Sequence, residues 1–358
     1  METLTSTVSV EPIVHEVIAP HFGAAIGGPT DRRPASATPF VNIPEWVSPE
    51  MRAFMRLLED PAQTLPPFPA PDDVDAWEQT AARMEQQWIQ KYAPYINSVD
   101  PRIDEVSLGG VSCYDIRPKG LADDRKVLVY MHGGAYVVYR AGGSMLGRGV
   151  TAADKWKVRV VSIDFSLAPR RKFDKITDEC VAAVSALVEQ GIALKDIAFY
   201  GDSAGGSLAA AVVLKMRDRG LGMPAALAMV SPWLDVTLDP DSLVSLQNQE
   251  TSYVRQHVEA AGAAWADAKD QKNPYASPVY GDFTKGYVPT MIQGGLKEIL
   301  LSGMVRMYEK LEDAEIPVKL DLWEAMPHNF PDRVPDAPES IRARKRMGKF
   351  LRGHLGLT

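Results

Sequence analysis

From residue 126 onward the chain repeats one pattern: a short apolar run, a turn, then a longer stretch with apolar positions three and four apart. The short runs at 126–131, 159–164, 196–200, 225–231, 289–293 and 318–323 read as strands. The stretches near 174–190, 203–219, 300–314 and 337–354 read as helices. Strands alternating with helices predict a mostly parallel sheet flanked by helices on both faces. Just upstream, Val106 to Leu108, the turn pair Gly109-Gly110, and Val111 to Ile116 predict a β-hairpin. Further back, Ser48 suits an N-cap and Pro49 a first helical position, so a short helix opens there. After a Pro-rich linker over 59–71, a second helix is expected over 72–92, with Val74, Trp77, Ala81, Met84, Trp88 and Ile89 near helical spacing. One excursion breaks the later alternation. Residues 236–288 carry a helix around 254–268 and then an irregular Pro-containing stretch. Residues 1–45 have no period, and Gly27, Gly28, Pro29, Pro34 and Pro39 punctuate them. They are expected to form an arm on which little core depends.

Composition narrows the function class. The chain has 358 residues, 46% hydrophobic and 24% charged, which suits a globular fold with a full core. Its formal net charge of −7 argues against a nucleic-acid partner. Arg342, Arg344, Lys345, Arg346 and Lys349 cluster at helical spacing and read as a solvated helix face. Cys113 and Cys180 are too few for a disulfide scaffold and are expected as reduced, buried thiols. The first twenty or so residues lack a basic segment followed by an apolar core, and no run of 18 apolar residues occurs. A cytoplasmic protein with no membrane partner is the expectation.

The chemistry gathers at strand ends. Gly201-Asp202-Ser203-Ala204-Gly205 is the only G-x-S-x-G, and it lies between a predicted strand and a predicted helix. That context suits a nucleophilic serine on a strained turn, with small neighbours and a helix N-terminus facing any developing anion. His132-Gly133-Gly134 follows the strand at 126–131. Consecutive glycines let amide donors approach an oxyanion, so Gly133 and Gly134 are assigned as donors, with Ala204 as the third. His132 suits a structural ring that pins the glycine loop. Of six histidines, only His257, His328 and His354 follow Ser203. His328 lies in a loop after the last strand, where ligand sites of parallel sheets form, and is the expected base. Glu298 follows the preceding strand and is the expected acid, fixing the tautomer of His328; Asp235 is its rival. No H-E-x-x-H, G-x-x-x-x-G-K or Cys/His zinc spacing occurs, so neither metal nor cofactor is expected. Gly147-x-Gly149-x-x-Ala152 mimics a dinucleotide fingerprint but sits in a helical context.

Taken together, these motifs resemble the hormone-sensitive-lipase-like esterases of the α/β-hydrolase superfamily, over roughly residues 104–356. His132-Gly133-Gly134-Ala135 is similar to the oxyanion motif of that family, and Gly201–Gly205 to its elbow. Ser166-Leu167-Ala168-Pro169 is similar to its R-L-A-P loop, with Ser for Arg. Ser231-Pro232-Trp233-Leu234-Asp235 and Ser277-Pro278 are similar to further landmarks. Glu298-Ile299-Leu300-Leu301-Ser302 resembles the branch with Glu at the catalytic acid, and Ala325 replaces a Gly in the histidine motif. The resemblance implies an α/β-hydrolase fold with a helical cap. Its parts would be an arm at 1–45, N-terminal cap helices at 46–100, and a catalytic domain at 101–358 with a cap insertion at about 236–288. It implies a serine carboxylesterase acting on small-molecule, short- to medium-chain esters through an acyl-enzyme. Lactone hydrolysis would use the same triad. An amidase, or a non-catalytic ligand-binding protein on a hydrolase fold, are the other readings, and the intact Ser203, Glu298 and His328 argue against the last. Tyr136, Tyr139, Trp233 and Val254 are candidate pocket walls or core, with Tyr136, Trp233 and Val254 assigned to substrate binding. A homodimer is open.

Overall fold

The computed structural model describes residues 41–121 and 123–357, without the side chains of residues 87 and 88. The expected arm at 1–45 therefore lies outside the described residues except for 41–45, as does the side chain of Trp88. In chain order the elements are α1 (Pro49–Met55), α2 (Pro61–Thr64), α3 (Val74–Val99), β1 (Arg102–Leu108), β2 (Val111–Arg117), β3 (Val127–Met131), α4 (Leu146–Trp156), β4 (Arg159–Ile163) and α5 (Phe173–Glu189). There follow β5 (Ile197–Asp202), α6 (Ala204–Asp218), β6 (Ala226–Val230), α7 (Ser242–Ser245), α8 (Arg255–Trp265), β7 (Thr290–Gly295), α9 (Leu301–Asp313), β8 (Val318–Trp323), α10 (Phe330–Arg333) and α11 (Pro338–His354).

The strands form one 8-stranded sheet in the order β1-β2-β4-β3-β5-β6-β7-β8. β1–β2 and β2–β4 pair antiparallel, and every later pair is parallel. This is the mostly parallel sheet the alternation predicted, in keeping with the α/β-hydrolase fold that the resemblance implied. The inner strands β3, β5, β6 and β7 are buried along their whole length, as strands covered on both faces must be. β5 sits at the centre, and α6, which follows it directly, is apolar nearly all round and buried from Ala204 to Met216. The turn at Gly201–Gly205 is thus mounted at the middle of the core. Both cysteines are buried and free, and burial pushes the Cys113 thiol up to about 12, so neither is a ready nucleophile. No helix among the described residues is long and apolar enough to cross a membrane.

Three boundaries differ from the sequence expectation. The helix expected over 72–92 runs on to Val99 and contains Pro94. Its last turns are held by tertiary contacts: Tyr92 packs on Gly147, and the Tyr95 hydroxyl donates to Asp154 at 2.7 Å. β1 starts at Arg102 rather than at Val106. Its added residues are charged except for Ile103, which is too little for an apolar alternation to show. They pair across to β2, where Arg117 bonds both Asp104 and Asp115.

The third difference concerns residues 41–58. Val41, Val47, Met51, Phe54, Met55 and Leu58 form a buried cluster with Trp323, Ala325, Met326, Phe330, Ala337 and Ala343, and Ile43 packs against it. So the structured chain begins before residue 46, and the end of the expected arm is core. Residues 46–100, expected as N-terminal cap helices, pack in two places. α1 braces the end of β8 and α11, and Glu339 at the start of α11 accepts from the Ser48 amide and hydroxyl at 2.8 and 2.7 Å. The start of α3 joins the insertion instead. Phe68 packs between Trp77 and His257, and the His257 Nε2 donates to the Pro66 carbonyl at 2.8 Å.

Candidate active site

Ser203 ends β5 and opens α6 with φ 53° and ψ −127°, a left-handed conformation that an L-residue adopts only under strain. Its surroundings enforce that turn. A Cβ on Gly201 would meet the Gly205 carbonyl oxygen at 2.4 Å, and one on Gly205 would meet the Met131 oxygen at 2.1 Å. The Ser203 amide donates to Val230 O, and its carbonyl accepts from the Trp233 amide. Held this way, the hydroxyl projects from the C-terminal edge of the sheet.

His328 lies in the loop after β8 and is 5% exposed. Its Nε2 is 3.1 Å from Ser203 Oγ. Its Nδ1 is 2.8 Å from Glu298 Oε2. Glu298 is fully buried after β7, and its other oxygen accepts from the Ser231 hydroxyl at 2.7 Å and the Gly295 amide at 2.6 Å. A buried carboxylate so bonded is fixed in position and aims one oxygen at the imidazole. The structure therefore brings Ser203, His328 and Glu298 into one hydrogen-bonded line. Asp235, the rival acid, is committed elsewhere: it accepts from Thr237, Tyr280 and Arg306. His257 is locked between the Val254 amide and Pro66, and burial keeps its pKa below the usual imidazole range.

The glycine loop departs from expectation at one residue. The Gly133 amide donates to Asp202 Oδ1 at 3.2 Å, and a Cβ there would sit 2.5 Å from Asp202 Oδ2. The first glycine thus exists for close approach to Asp202, and its donor is engaged. The amides of Gly134, Ala135 and Ala204 carry no hydrogen bond among the described residues. His132 Nδ1 lies 2.7 Å from the Gly133 carbonyl, and its ring stacks on Phe165 at 4.3 Å. This fits a ring that pins the loop.

The pocket residues divide. Tyr136 stacks on Trp265 at 3.8 Å and on Trp233 at 5.6 Å, all three buried. All three belong to the hydrophobic core. Val254 donates its amide to His257 Nδ1 at 3.1 Å, and its neighbour Tyr253 reaches His328, with its hydroxyl 3.1 Å from Nδ1. An apolar cavity of about 300 Å³, lined by Trp77, Ala81, Val137, Tyr139 and Leu167 among others, borders the same loop without including Ser203.

Several residues at the site carried no sequence signal. Asp202, the variable position of the elbow, accepts from Tyr130, Gly133 and Asn329 and pairs with buried Arg148. It joins the nucleophile turn, the glycine loop and the histidine loop. Ser231 adds a second tie, donating to Glu298 and accepting from the Asn329 amide at 3.0 Å. Ser231 was visible only as part of a motif, and Asn329 and Arg148 not at all.

Comparison with known proteins gives the geometry its context. A family model described as an alpha/beta hydrolase fold matches residues 128–332. An acetyl-hydrolase of Streptomyces hygroscopicus is 31% identical over 261 residues, covering 72% of this chain and 84% of its own. An esterase of Acinetobacter venetianus is 32% identical, covering 64% and 75%. Among solved structures, an esterase from the bacterial hormone-sensitive lipase family superposes with a TM-score of 0.71 at 30% identity, covering 86% of this chain and 99% of that one. Esterase E25 does so with a TM-score of 0.78 at 25% identity, covering 92% and 99%. The chain belongs to the hormone-sensitive-lipase-like family of the α/β-hydrolase fold, and is a carboxylic ester hydrolase.

Proposed function

We propose that the protein hydrolyses small carboxylic esters through an acyl-enzyme on Ser203. The observation that carries this reading is the line Ser203 Oγ, His328 Nε2, His328 Nδ1, Glu298 Oε2, with links of 3.1 and 2.8 Å. His328 takes the Ser203 proton as Oγ attacks the ester carbonyl, and the carbonyl oxygen becomes an oxyanion. The open amides of Gly134, Ala135 and Ala204 are the donors for it, aided by the positive end of α6. His328 then returns its proton to the departing alcohol, leaving an acyl-serine. A water, deprotonated by the same imidazole, attacks that acyl carbonyl; the bond to Ser203 Oγ breaks, the imidazolium returns the proton to Oγ, and the acid is freed. Glu298 holds the ring in the tautomer that both steps need. Tyr136 and Trp233 wall the acyl side, and that rigid stack favours short chains, about C2 to C8. The name of the Streptomyces relative, acetyl-hydrolase, supports the same reading. Lactones would follow the identical route with a tethered alcohol.

The test is Ser203→Ala on p-nitrophenyl butyrate. We expect kcat to fall by roughly 10⁶. Turnover near the wild-type rate in the purified variant would refute the mechanism.

A further inference from the structure

The stretch 249–253, within the cap insertion, touches both loops that carry the acid and the base. On the acid side, Lys297 Nζ donates to Gln249 Oε1 at 2.7 Å, and the Ile299 amide donates to Glu250 Oε2 at 3.3 Å. These two residues flank Glu298. On the base side, Arg333 donates to Ser252 Oγ at 2.5 Å and to the His328 carbonyl at 2.8 Å. Glu250 is fully buried, and its Oε1 accepts from the Thr251 and Ser252 amides, both at 2.8 Å, so the segment folds around its own carboxylate. The result is a fixed place for Tyr253. Its hydroxyl lies 3.1 Å from His328 Nδ1, and its ring meets the imidazole edge-on at 5.0 Å.

We propose that Tyr253 is a positioning residue for ester hydrolysis, its hydroxyl oxygen serving as a second acceptor for the His328 Nδ1 proton. The inference rests on the triad reading above. With Nδ1–H facing Glu298 at 2.8 Å and Tyr253 at 3.1 Å, the ring nitrogen is the donor and both oxygens accept. When His328 takes the Ser203 proton it becomes an imidazolium, and hydrogen bonds from an ionised donor are roughly twice as strong. An oxygen already in place then stabilises the charge without rearrangement. Burial raises the Glu250 carboxyl above its usual range, with His328 acting in the opposite direction. The cap insertion in this way supplies part of the catalytic geometry as well as covering chain.

The experiment is a double-mutant cycle on p-nitrophenyl butyrate with Tyr253→Phe, Glu298→Ala and their combination, and with Ser203→Ala as control. Tyr253→Phe should lower kcat about tenfold with KM unchanged, the loss of one hydrogen bond to a charged group. The cost should be larger in the Glu298→Ala background, where the phenol is the remaining oxygen on Nδ1. In parallel, the imidazole Nδ1 proton resonance should move when Tyr253→Phe is added to the Ser203→Ala protein, a readout that needs no turnover. An unmoved resonance, an unchanged kcat, or a change confined to KM overturns the role of Tyr253 and leaves the triad standing. Turnover surviving in Ser203→Ala overturns the triad reading instead.

Discussion

At the scale of single residues, the carboxylate of Asp202 shows how the site is held. It faces Arg148 in the core and accepts from the hydroxyl of Tyr130, the amide of Gly133 and the side chain of Asn329. Asp202→Asn keeps the shape but leaves the Arg148 charge buried with its main partner gone. Breaking a buried pair this way should cost about 3–5 kcal/mol, read from urea unfolding, and should lower kcat as the glycine loop loosens. Undiminished stability would mean that Asp332, the other carboxylate on Arg148, suffices. The two acids near the site should separate just as clearly. Glu298→Ala is expected to lower kcat by about 10⁴, the scale seen when an orienting acid is removed. Asp235→Ala should lower the melting temperature and leave kcat within roughly tenfold, because its partners are Arg306, Tyr280 and Thr237. The reverse ranking would exchange their roles. That Ser203, His328 and Glu298 would meet was readable from the sequence, because the acyl transfer proposed here calls for those residue types at strand ends. Tyr253 was not, since its hydroxyl meets His328 across 75 positions of chain from a segment without periodicity. Nor could a sequence show that Gly133 turns its amide to a carboxylate: two adjacent glycines look alike until their neighbours are placed.

Elements were legible where burial writes a pattern and obscure where it does not. The inner strands β3, β5, β6 and β7 are buried throughout and mostly apolar, so each was found within a residue or two. The start of β1 is charged and was missed, because its ladder is stabilised by cross-strand ion pairs with Arg117 rather than by a buried face. The far end of α3 was missed because contacts made by Tyr92 and Tyr95 override the local effect of Pro94. α1 was found, but its partner was not, since Trp323 and Phe330 lie more than half the chain away. That partnership is testable. Met51 on α1 is completely buried against the segment leading into His328. Met51→Ala should cost about 2–5 kcal/mol of stability, measured by thermal unfolding. It should also reduce kcat more than it changes KM, since the loop behind it carries the base. A variant that is less stable yet unchanged in kcat would show that the loop is held by Glu298 and Asp202 alone.

Over the whole molecule, the proposed preference for short acyl chains rests on how the aromatic residues of the insertion and the sheet pack. The aromatic stack of Tyr136, Trp233 and Trp265 is buried and shared between the oxyanion loop, the turn after β6 and α8. Such a wall does not yield to a long chain. Each added methylene should improve kcat/KM only while it finds wall to cover it, at about 0.8 kcal/mol apiece. The profile of kcat/KM against acyl length, below micelle formation, should peak at about C2 to C8 and then fall. A profile still rising at long chains, or activation on an emulsion, would point to a lipase. The cluster that joins α1, the end of β8 and α11 has a different consequence, one of timing. Proteins are made from the N-terminus, and domains fold as their last packing partner arrives. Here the loop bearing His328 is clasped by the first described helix and by the last. A growing chain on the ribosome can carry a finished Ser203 turn and still lack the seat for its base. A product that stops short of α11 should therefore lack one side of that clasp, and is expected to be inert toward p-nitrophenyl butyrate rather than half active.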